Sequence, residues 1–479
     1  MFSDHGLCGL LEEGAHGKSP KCLGGNLGDF GEFCKGLILL VFIYKIVKLK
    51  FAMVRLEIIV FTNGERYPIL IDNGKNIPHY YSTLWTTSIL RSSCSVNTIR
   101  NKLYAIRWLF KWEYSNNRNI VNEFKNGNLL SYKDMINLRE HFRLSEKTDK
   151  KKLSFSNRLS GNKKSINSII ISHSHQYNRM TAAIEYLEFI SSLFMNKGLY
   201  TPKDVEKMTV TFKNLRPNIR SFYSSEIFDN ASITDGLLDE FLGIADYLNP
   251  KNPFKNEGIR KRNYLMFMLL RKLGIRRGEL LSIRVDDLIL TGNHPAIFIR
   301  RTHDDPIDSR MNQAVAKTKE RRLVISLELS NLIDEYILNY RNKIPNSNRH
   351  PYLFVTHKKG ISQGKPLSIS SFDNIIIPTM KKVDKKFSII HSHIFRHEWN
   401  LDFSRKVDLN NKLAKENKTN HTEITPENEA KYRQHWMGHT SEKSSYIYNK
   451  RHIIEQANKL VLLEQEELLG KLSNKEAGA

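Results

Sequence analysis

Four short stretches in the second half of the chain carry side chains that could act on a phosphate group. They are 274–280 (GIRRGEL), 317–322 (KTKERR), 393–397 (HIFRH) and 436–439 (WMGH), and Tyr448 follows His439 by nine residues. The planar guanidinium of arginine can grip two phosphate oxygens and does not deprotonate at neutral pH. Donors that are fixed in advance stabilise the negative charge that a reacting phosphodiester gathers on its oxygens. These residue types therefore suit chemistry on a phosphodiester.

The overall charge indicates the same class of partner. The chain holds 74 Lys and Arg against 50 Asp and Glu, which gives a net charge of +24 and a sequence pI near 9.6. A surplus of this size favours a polyanion as partner, and nucleic acid is the leading candidate. Hydrophobic residues make up 40% of the 479 residues. This fraction is enough to build hydrophobic cores. At about 150 residues per domain, the length of the chain predicts two or three domains.

The elements predicted around the four stretches are mixed α and β. A helix over 257–273 ends at Gly274, where a C-terminal glycine belongs, and another helix begins directly after it. The KTKERR stretch is predicted to form a polar hairpin tip that leads into a strand. The other predicted elements are strands at 295–301, 321–327 and 352–356, and helices at 329–342, 370–383, 393–405, 428–438 and 452–471.

The first half of the chain is predicted to be helical and basic. Two apolar runs flank Asn63-Gly64, which is a strong hairpin signal. Ser95 is placed to cap a helix whose apolar residues recur at helical spacing. Further helices are predicted at 132–143, around Met180 to Phe194, and at 233–247.

The segment between the two halves contains the best linker signal in the chain. Pro250 and Pro253 stand among polar residues and cannot continue a helix. We therefore predict a mostly α protein with a small β-sheet, in which a helical region precedes an α+β domain. The predicted division is a poorly patterned extension at 1–52, a helical region at 53–248, a linker at 249–254, an α+β domain at 255–460, and a C-terminal helix and tail at 461–479.

The cysteines and the one apolar run favour a reduced, cytoplasmic protein. Cys8, Cys22, Cys34 and Cys94 are too few for a disulfide scaffold in a chain of this length. The apolar segment 36–47 is shorter than the roughly 20 residues that a membrane span requires, and Lys45 interrupts it. We predict no membrane association. The apolar segment is either a short buried strand or helix, or it belongs to sequence upstream of the true start, and for residues 1–52 we favour the second interpretation.

The four stretches and Tyr448, in this order and spacing, resemble the catalytic signature of the tyrosine recombinases, also called the phage-integrase family. The family's pattern is G-x-R-x-x-E-L, a lysine on a β-hairpin, H-x-x-R-H, L-G-H, and a tyrosine nine residues later. The resemblance covers 255–460 and extends to about 76–245, where the family keeps a helical core-binding domain. It differs at 407–427, a polar stretch that looks like an insertion.

The resemblance implies a role for each matching residue. Arg276 and Arg396 bind the phosphate, His393 and His439 supply further donors or handle protons, and Tyr448 is the nucleophile that forms a phosphotyrosyl bond. A hairpin lysine is the general acid for the leaving 5′ oxygen. Glu279 supports the site by orienting its neighbours. The phosphotyrosyl bond retains the bond energy of the backbone, so neither ATP nor a metal nor another cofactor is implied.

Two of these assignments have an alternative. The general acid is either Lys317 or Lys319. Lys317 is followed by a Thr, as the family prefers, whereas Lys319 begins an alternative Lys-Glu-Arg motif, and we favour Lys317. Tyr446 lies two residues before Tyr448, and the spacing from His439 favours Tyr448 as the nucleophile. Two histidine pairs, 173/175 and 391/393, look like metal ligands but lack a carboxylate or cysteine at ligand spacing. We therefore predict no metal site.

A polar stretch at 146–164 is either a solvated loop or a DNA-contacting one. Its candidate DNA-binding residues are Lys147, Lys150, Lys151, Lys152, Lys163 and Lys164. The phosphates of double-stranded DNA would attract these side chains irrespective of base sequence.

The function that this resemblance implies is site-specific recombination, favoured here for a mobile element. Four protomers would assemble on two double-stranded DNA sites, with accessory DNA-bending proteins as possible partners. The alternatives are a type IB-like topoisomerase, which shares the tyrosine chemistry without pairing two sites, and a non-catalytic DNA-binding protein of the same fold.

Overall fold

The computed structural model describes residues 54–145, 170–219, 236–416, 422–439, 453 and 456–467. They form two compact units. Over its described residues the first contains 54–57 and 68–218, and the second contains 58–67 and the chain from 219 onwards. In the part of the chain that the structure describes, no helix has the length and apolar character needed to cross a membrane.

The first unit is helical, as the sequence predicts. Ser95 accepts a hydrogen bond from the backbone N–H of Thr98, so it caps the Val96–Ser115 helix as predicted. The apolar stripe of that helix, including Leu103 and Leu109, is buried in the core of the unit. The helices are Tyr80–Trp85, Arg91–Ser93, Val96–Ser115, Ile120–Lys125, Tyr132–Phe142, His173–Phe194 and Pro202–Asn214, with a π-helical turn at Thr86–Leu90 and a 3-10 turn at Met195–Lys197.

The predicted hairpin around Asn63-Gly64 is confirmed. Strands Val54–Val60, Arg66–Asp72 and Ile77–Pro78 form a sheet in chain order. The turn of the hairpin belongs to the second unit, where the buried Arg66 donates to four backbone carbonyl oxygens, those of Gly64, Asp305, Asp308 and Arg310.

The second unit is built around the Glu257–Leu273 helix. Phe267 of this helix stacks on Phe395, with ring centroids 5.9 Å apart, and Phe241 meets Phe267 edge-on at 5.1 Å. The helices are Leu237–Ala245, Glu257–Leu273, Arg277–Ser282, Leu327–Tyr336, Ile369–Ser371, Ile377–Lys381, Ser392–Lys415 and Pro426–Met437, with π-helical turns at Ile337–Arg341 and Phe372–Ile376 and 3-10 turns at Val285–Asp287, Ser347–Arg349 and Lys385–Ile389. Residues 453 and 456–467 are also helical.

A three-stranded antiparallel sheet completes the second unit. Its strands are Leu288–Ile289, Ala296–Ile299 and Arg321–Val324, in chain order. Ala296 pairs with Val324 and Ile299 pairs with Arg321. This small sheet beside many helices confirms the predicted fold class.

Three predicted elements differ from the structure. The prediction of a strand at 352–356 is wrong: Tyr352 and Val355 form only isolated bridges, and the bridge partner of Val355 is Pro366, which has no N–H with which to continue a ladder. The helix predicted at 393–405 continues to Lys415. The Leu237–Ala245 helix, predicted as part of the first region, packs in the core of the second unit.

The extended helix accounts for the first half of the polar stretch 407–427. Its residues include helix formers such as Leu409, Leu413 and Ala414. Asn411 then exchanges two hydrogen bonds with the backbone of Ile424, at 2.8 and 2.9 Å, and so fastens the end of the helix to the segment that leads into Pro426–Met437.

Candidate active site

A tight helix-to-helix turn sets the position of Arg276. The Glu257–Leu273 helix ends at Gly274, whose φ of +60° is the left-handed conformation that favours glycine. A Cβ on Gly274 would lie 2.7 Å from Cγ of Trp399, so the close packing also requires glycine. Two residues later Arg276 is the N-cap of Arg277–Ser282. The guanidinium of Arg276 therefore projects from a short and fixed piece of backbone.

Two stacked tryptophans pack against this turn and bind the end of the preceding helix. Trp399 and Trp436 lie 5.9 Å apart with nearly parallel rings. Their indole N–H groups donate to the carbonyl oxygens of Lys272 and Leu273, which are among the last carbonyls of the helix. Two of the last carbonyls of the helix are thus satisfied by side chains of later helices, Ser392–Lys415, which also carries His393, and Pro426–Met437, which ends just before His439.

Glu279 is a fully buried carboxylate at the centre of the site. It accepts hydrogen bonds from the backbone N–H of Arg276 at 3.0 Å, from Nη2 of Arg321 at 3.0 Å, and from the hydroxyl of Thr318. Burial by itself would raise the pKa of Glu279, but the guanidinium groups of Arg321 and Arg396 and these hydrogen bonds hold it below its ordinary value. Glu279 is therefore an anion that neutralises part of a cationic cluster.

Arg396 lies beneath the same turn and is almost completely buried. Its Nη1 donates to the carbonyl oxygen of Gly274 at 2.8 Å, and its Nη2 approaches the carbonyl oxygen of Met437 at 3.3 Å. Nη2 also lies 2.9 Å from Nε2 of His439. Because a guanidinium can only donate, Nε2 of His439 accepts in this contact and its proton is assigned to Nδ1.

Both predicted histidines are held in the neutral form. Burial, followed by the positive charges of Arg396, Arg276 and Arg321, lowers the pKa of His439 to about 4. His393 lies in the first turn of Ser392–Lys415, where partial burial and neighbouring positive groups, among them Arg276 and Arg396, also lower its pKa. A neutral imidazole has one donor and one acceptor nitrogen, and the acceptor nitrogen of His439 is already occupied by Arg396, so His439 has only its Nδ1 proton to offer.

The two candidate lysines flank a buried threonine. Lys317 and Lys319 are exposed, whereas Thr318 between them is buried against Glu279. The backbone N–H of Lys319 donates to the carbonyl oxygen of Gly438 at 3.0 Å, so this segment is joined to the turn that carries His439. The assignment of Lys317 as general acid stays a prediction.

The structure thus brings Arg276, Glu279, Arg396 and His439 together, with His393 within the electrostatic range of both arginines. Tyr448, Tyr446 and the candidate DNA-binding lysines Lys147, Lys150, Lys151, Lys152, Lys163 and Lys164 lie outside the described residues. The catalytic roles of all these residues stay predictions.

Arg321 is a member of the cluster that the sequence motifs do not predict. This arginine opens the Arg321–Val324 strand, in which residues alternate between buried and exposed, and it lies on the buried side with Leu323. A charged residue at an inward strand position is expected only when it has a buried partner of opposite charge. The sequence therefore contains one signal for this pair: an arginine at an inward strand position, and a glutamate in the GIRRGEL stretch that could be its buried partner.

The family comparison agrees with the resemblance found in the sequence. Residues 244–411 match the model of the phage integrase family. This segment includes Arg276, Lys317, His393 and Arg396 and ends before His439 and Tyr448. The predicted resemblance to the family is confirmed over this segment.

Curated relatives come from a transposon. Transposase A from transposon Tn554 of Staphylococcus aureus, found in strains Mu50 / ATCC 700699 and N315, is 30% identical to this chain over 154 residues. The aligned part is 30% of this chain and spans 39% of the length of the transposase.

Three solved structures are similar at low identity. The XerH site-specific recombinase bound to a palindromic difH substrate has 14% identity and a TM-score of 0.39 over 79% of this chain and 93% of that chain. The XerA recombinase has 16% identity and a TM-score of 0.30 over 79% and 97%. The Tn1549 transposon integrase in complex with transposon right end DNA has 14% identity and a TM-score of 0.30 over 69% and 94%.

Replacing Gly274 with alanine is expected to destabilise the second unit because the new Cβ would meet Trp399 in a backbone conformation that disfavours side chains. The left-handed conformation and the overpacking together should lower the free energy of unfolding by about 3 kcal/mol. The matched control is Gly292→Ala, since Gly292 also has a positive φ but a Cβ there would meet nothing within 4 Å. The control should lose only about 1 kcal/mol in urea unfolding. Equal losses in the two variants would contradict the packing argument.

Proposed function

We propose that this chain, whose residues 244–411 match the phage integrase family, is a site-specific tyrosine recombinase that cuts and rejoins DNA strands for a mobile element. The observation that carries the proposal is the cluster of Arg276, Arg321 and Arg396 around the buried carboxylate of Glu279. Three guanidinium groups around one carboxylate leave a surplus of positive charge. A fixed surplus of this kind stabilises the charge that a phosphodiester develops as it is cleaved.

Arg276 is the group of this cluster that we expect to bind the phosphate directly. Its side chain is 27% exposed, and its Nη1 atom is buried without a hydrogen-bond partner among the described residues. Nη1 lies 3.7 Å from Oε1 of Glu279, too far for a hydrogen bond. A buried donor without an acceptor is costly, and a phosphate oxygen would satisfy it.

Arg396 would act on the same phosphate in a different way. Its two terminal nitrogens already donate to Gly274 and contact His439. Arg396 therefore contributes a fixed positive charge and holds the imidazole of His439 in one orientation. Neutral His439 can then offer the proton on Nδ1 to an oxygen of the phosphate.

In the proposed cleavage step the hydroxyl oxygen of Tyr448 attacks the phosphorus atom. The bond between phosphorus and the 5′ oxygen breaks, and the 3′ end of the cut strand becomes joined to the tyrosine. The phenolic proton passes to neutral His393, and the leaving 5′ oxygen takes a proton from Lys317. The 5′ hydroxyl of another strand attacks the phosphotyrosyl bond in the reverse reaction, so strands are exchanged without ATP.

The charge of the chain supports DNA as the substrate. A net charge of +24 favours binding to phosphates irrespective of sequence, and we propose that Lys147, Lys150, Lys151, Lys152, Lys163 and Lys164 contribute to it. The assembly we propose is a homotetramer on two double-stranded DNA sites, with accessory DNA-bending proteins as further partners. The helical residues 456–467 expose Leu460, Val461, Leu462 and Leu463, which fits docking onto a neighbouring protomer.

The assignment to a mobile element rests on the curated relatives. The matched proteins are named Transposase A from transposon Tn554, and they are 30% identical to this chain over 154 residues. We propose that the sites recombined by this chain lie at the ends of the element that encodes it.

Trapping a covalent protein–DNA adduct tests the proposed function. Duplexes from the flanks of the gene carry a nick next to the cleavage site, so that a short fragment diffuses away after cleavage and ligation fails. Wild type and Tyr446→Phe should form an adduct that survives SDS, and Tyr448→Phe should form none because it lacks the attacking oxygen.

The remaining outcomes separate the alternative functions. DNA binding by wild type without an adduct on any duplex from the flanks would contradict the proposal and favour a non-catalytic DNA-binding protein. An adduct accompanied by relaxation of supercoiled plasmids that contain no paired sites would favour a type IB-like topoisomerase.

A substrate with sulfur in place of the bridging 5′ oxygen tests the role of Lys317. Lys317→Ala should slow cleavage of the ordinary substrate by about 10²-fold to 10⁴-fold, which is the range for loss of a general acid. On the sulfur substrate Lys317→Ala should approach the wild-type rate, because a thiolate leaves without protonation. Lys319→Ala, the neighbouring exposed lysine, is the matched control and should cleave both substrates like wild type. Loss and rescue in Lys319→Ala instead would assign the acid to Lys319.

A further inference from the structure

The guanidinium of Arg321 joins three separate segments of the site. Its Nη2 donates to Oε2 of Glu279 at 3.0 Å, and its Nη1 donates to the hydroxyl of Thr318 at 2.9 Å. Its Nε donates to the carbonyl oxygen of Trp436 at 2.6 Å, at the end of the Pro426–Met437 helix. The joined segments are therefore the turn after Gly274, the stretch that carries both candidate lysines, and the turn that leads to His439.

Arg321 directs these donors into the protein. Its side chain is only 2% exposed, and each of its three nitrogens has an acceptor on one of the three segments. Arg276, in contrast, is more exposed and has a buried nitrogen without a hydrogen-bond partner in the described part of the chain. The donors of Arg321 are thus used within the protein and hold its neighbours in place, whereas Arg276 has a donor that a ligand could accept from.

The turn at Gly438 is shaped to allow this contact. Gly438 has a φ of +65°, and a Cβ there would lie 2.8 Å from Nη1 of Arg321 and 2.9 Å from Cβ of Thr318. Only glycine permits the turn to approach the lysine-bearing segment so closely. The hydrogen bond from Lys319 N–H to the carbonyl oxygen of Gly438 adds a second link between the same two segments.

We infer that Arg321 is a positioning residue that sets the lysine of the 317–319 segment against the phosphate held by Arg276 and His439. This inference rests on the proposed function. An exposed lysine has many rotamers, and the rate of a step that it catalyses falls steeply if the backbone that carries it shifts. Anchoring Thr318 and the backbone of Lys319 next to Glu279 and Gly438 removes that backbone freedom.

Arg321→Lys is the variant that separates positioning from simple loss of charge. A lysine keeps a positive charge beside Glu279, so the buried carboxylate remains paired. A single ammonium group cannot reproduce the planar fork that reaches Glu279, Thr318 and Trp436 together. The matched control is Arg322→Lys, since Arg322 is the exposed neighbour on the same strand and donates to the carbonyl oxygen of His294.

The measurement is single-turnover cleavage of nicked DNA with oxygen or sulfur at the bridging 5′ position. Arg321→Lys should slow cleavage of the oxygen substrate by roughly 10-fold to 100-fold and bind DNA like wild type, because the loss falls on the chemical step. On the sulfur substrate its rate should return to within about 3-fold of wild type. Arg322→Lys should match wild type on both substrates.

A double variant supplies a second readout. If Arg321 acts through the lysine, Arg321→Lys combined with Lys317→Ala should cleave the oxygen substrate no more slowly than Lys317→Ala alone, because both changes remove one function. Equal slowing of Arg321→Lys on the oxygen and sulfur substrates would overturn the inference, and so would weaker DNA binding that accounts for the whole loss.

Failure of the proposed function would be recognised separately, because wild type itself would then form no adduct. If Arg321→Lys does not fold, as judged by circular dichroism and thermal unfolding, Arg321→Met with Glu279→Gln removes the buried pair as a unit and is tested on the same two substrates. Rescue by sulfur in that variant supports the inference, and absence of rescue overturns it.

Discussion

The buried carboxylate of Glu279 is the constraint on which the rest of the site depends. A charge taken out of water is tolerated only when it is paired and hydrogen-bonded. Glu279 meets this requirement by drawing together the backbone of Arg276, the hydroxyl of Thr318 and the guanidinium of Arg321. These partners come from segments that are about 40 residues apart in the chain. Neutralising one carboxylate therefore assembles the cationic cluster, and its surplus positive charge is the part that the proposed function assigns to a phosphate.

Much of the architecture could be predicted because it follows from local signals. The helix end at Gly274 was predictable because glycine at that point tolerates a positive φ, and Ser95 was predictable as a cap because its hydroxyl can accept a backbone N–H. The proximity of Arg276, Arg396 and His439 followed from the resemblance to a family in which those motifs form one site. The structure brings these residues together as expected.

The remaining features depend on contacts between distant residues. The alternation of the Arg321–Val324 strand places Arg321 on the inward side, but its partner there, Glu279, is 42 residues away and is brought beside it only by the fold. The stretch at 352–356 has the composition of a strand, but its neighbour Pro366 cannot continue a ladder. The helix predicted to end at 405 continues to Lys415, and its last turns are held because the side chain of Asn411 hydrogen-bonds the backbone of Ile424, 13 residues later. Local propensity carries no information about such partners.

The most direct test of the account is to identify the residue to which cleaved DNA becomes attached. The trapped adduct would be digested with a protease and a nuclease, and the peptide that retains a nucleotide would be sequenced by mass spectrometry. The account predicts a 3′-phosphate linked to the phenolic oxygen of Tyr448. A nucleotide on Tyr446, on a serine or on a histidine would contradict the proposed alignment of the nucleophile with Arg276, Arg396 and His439.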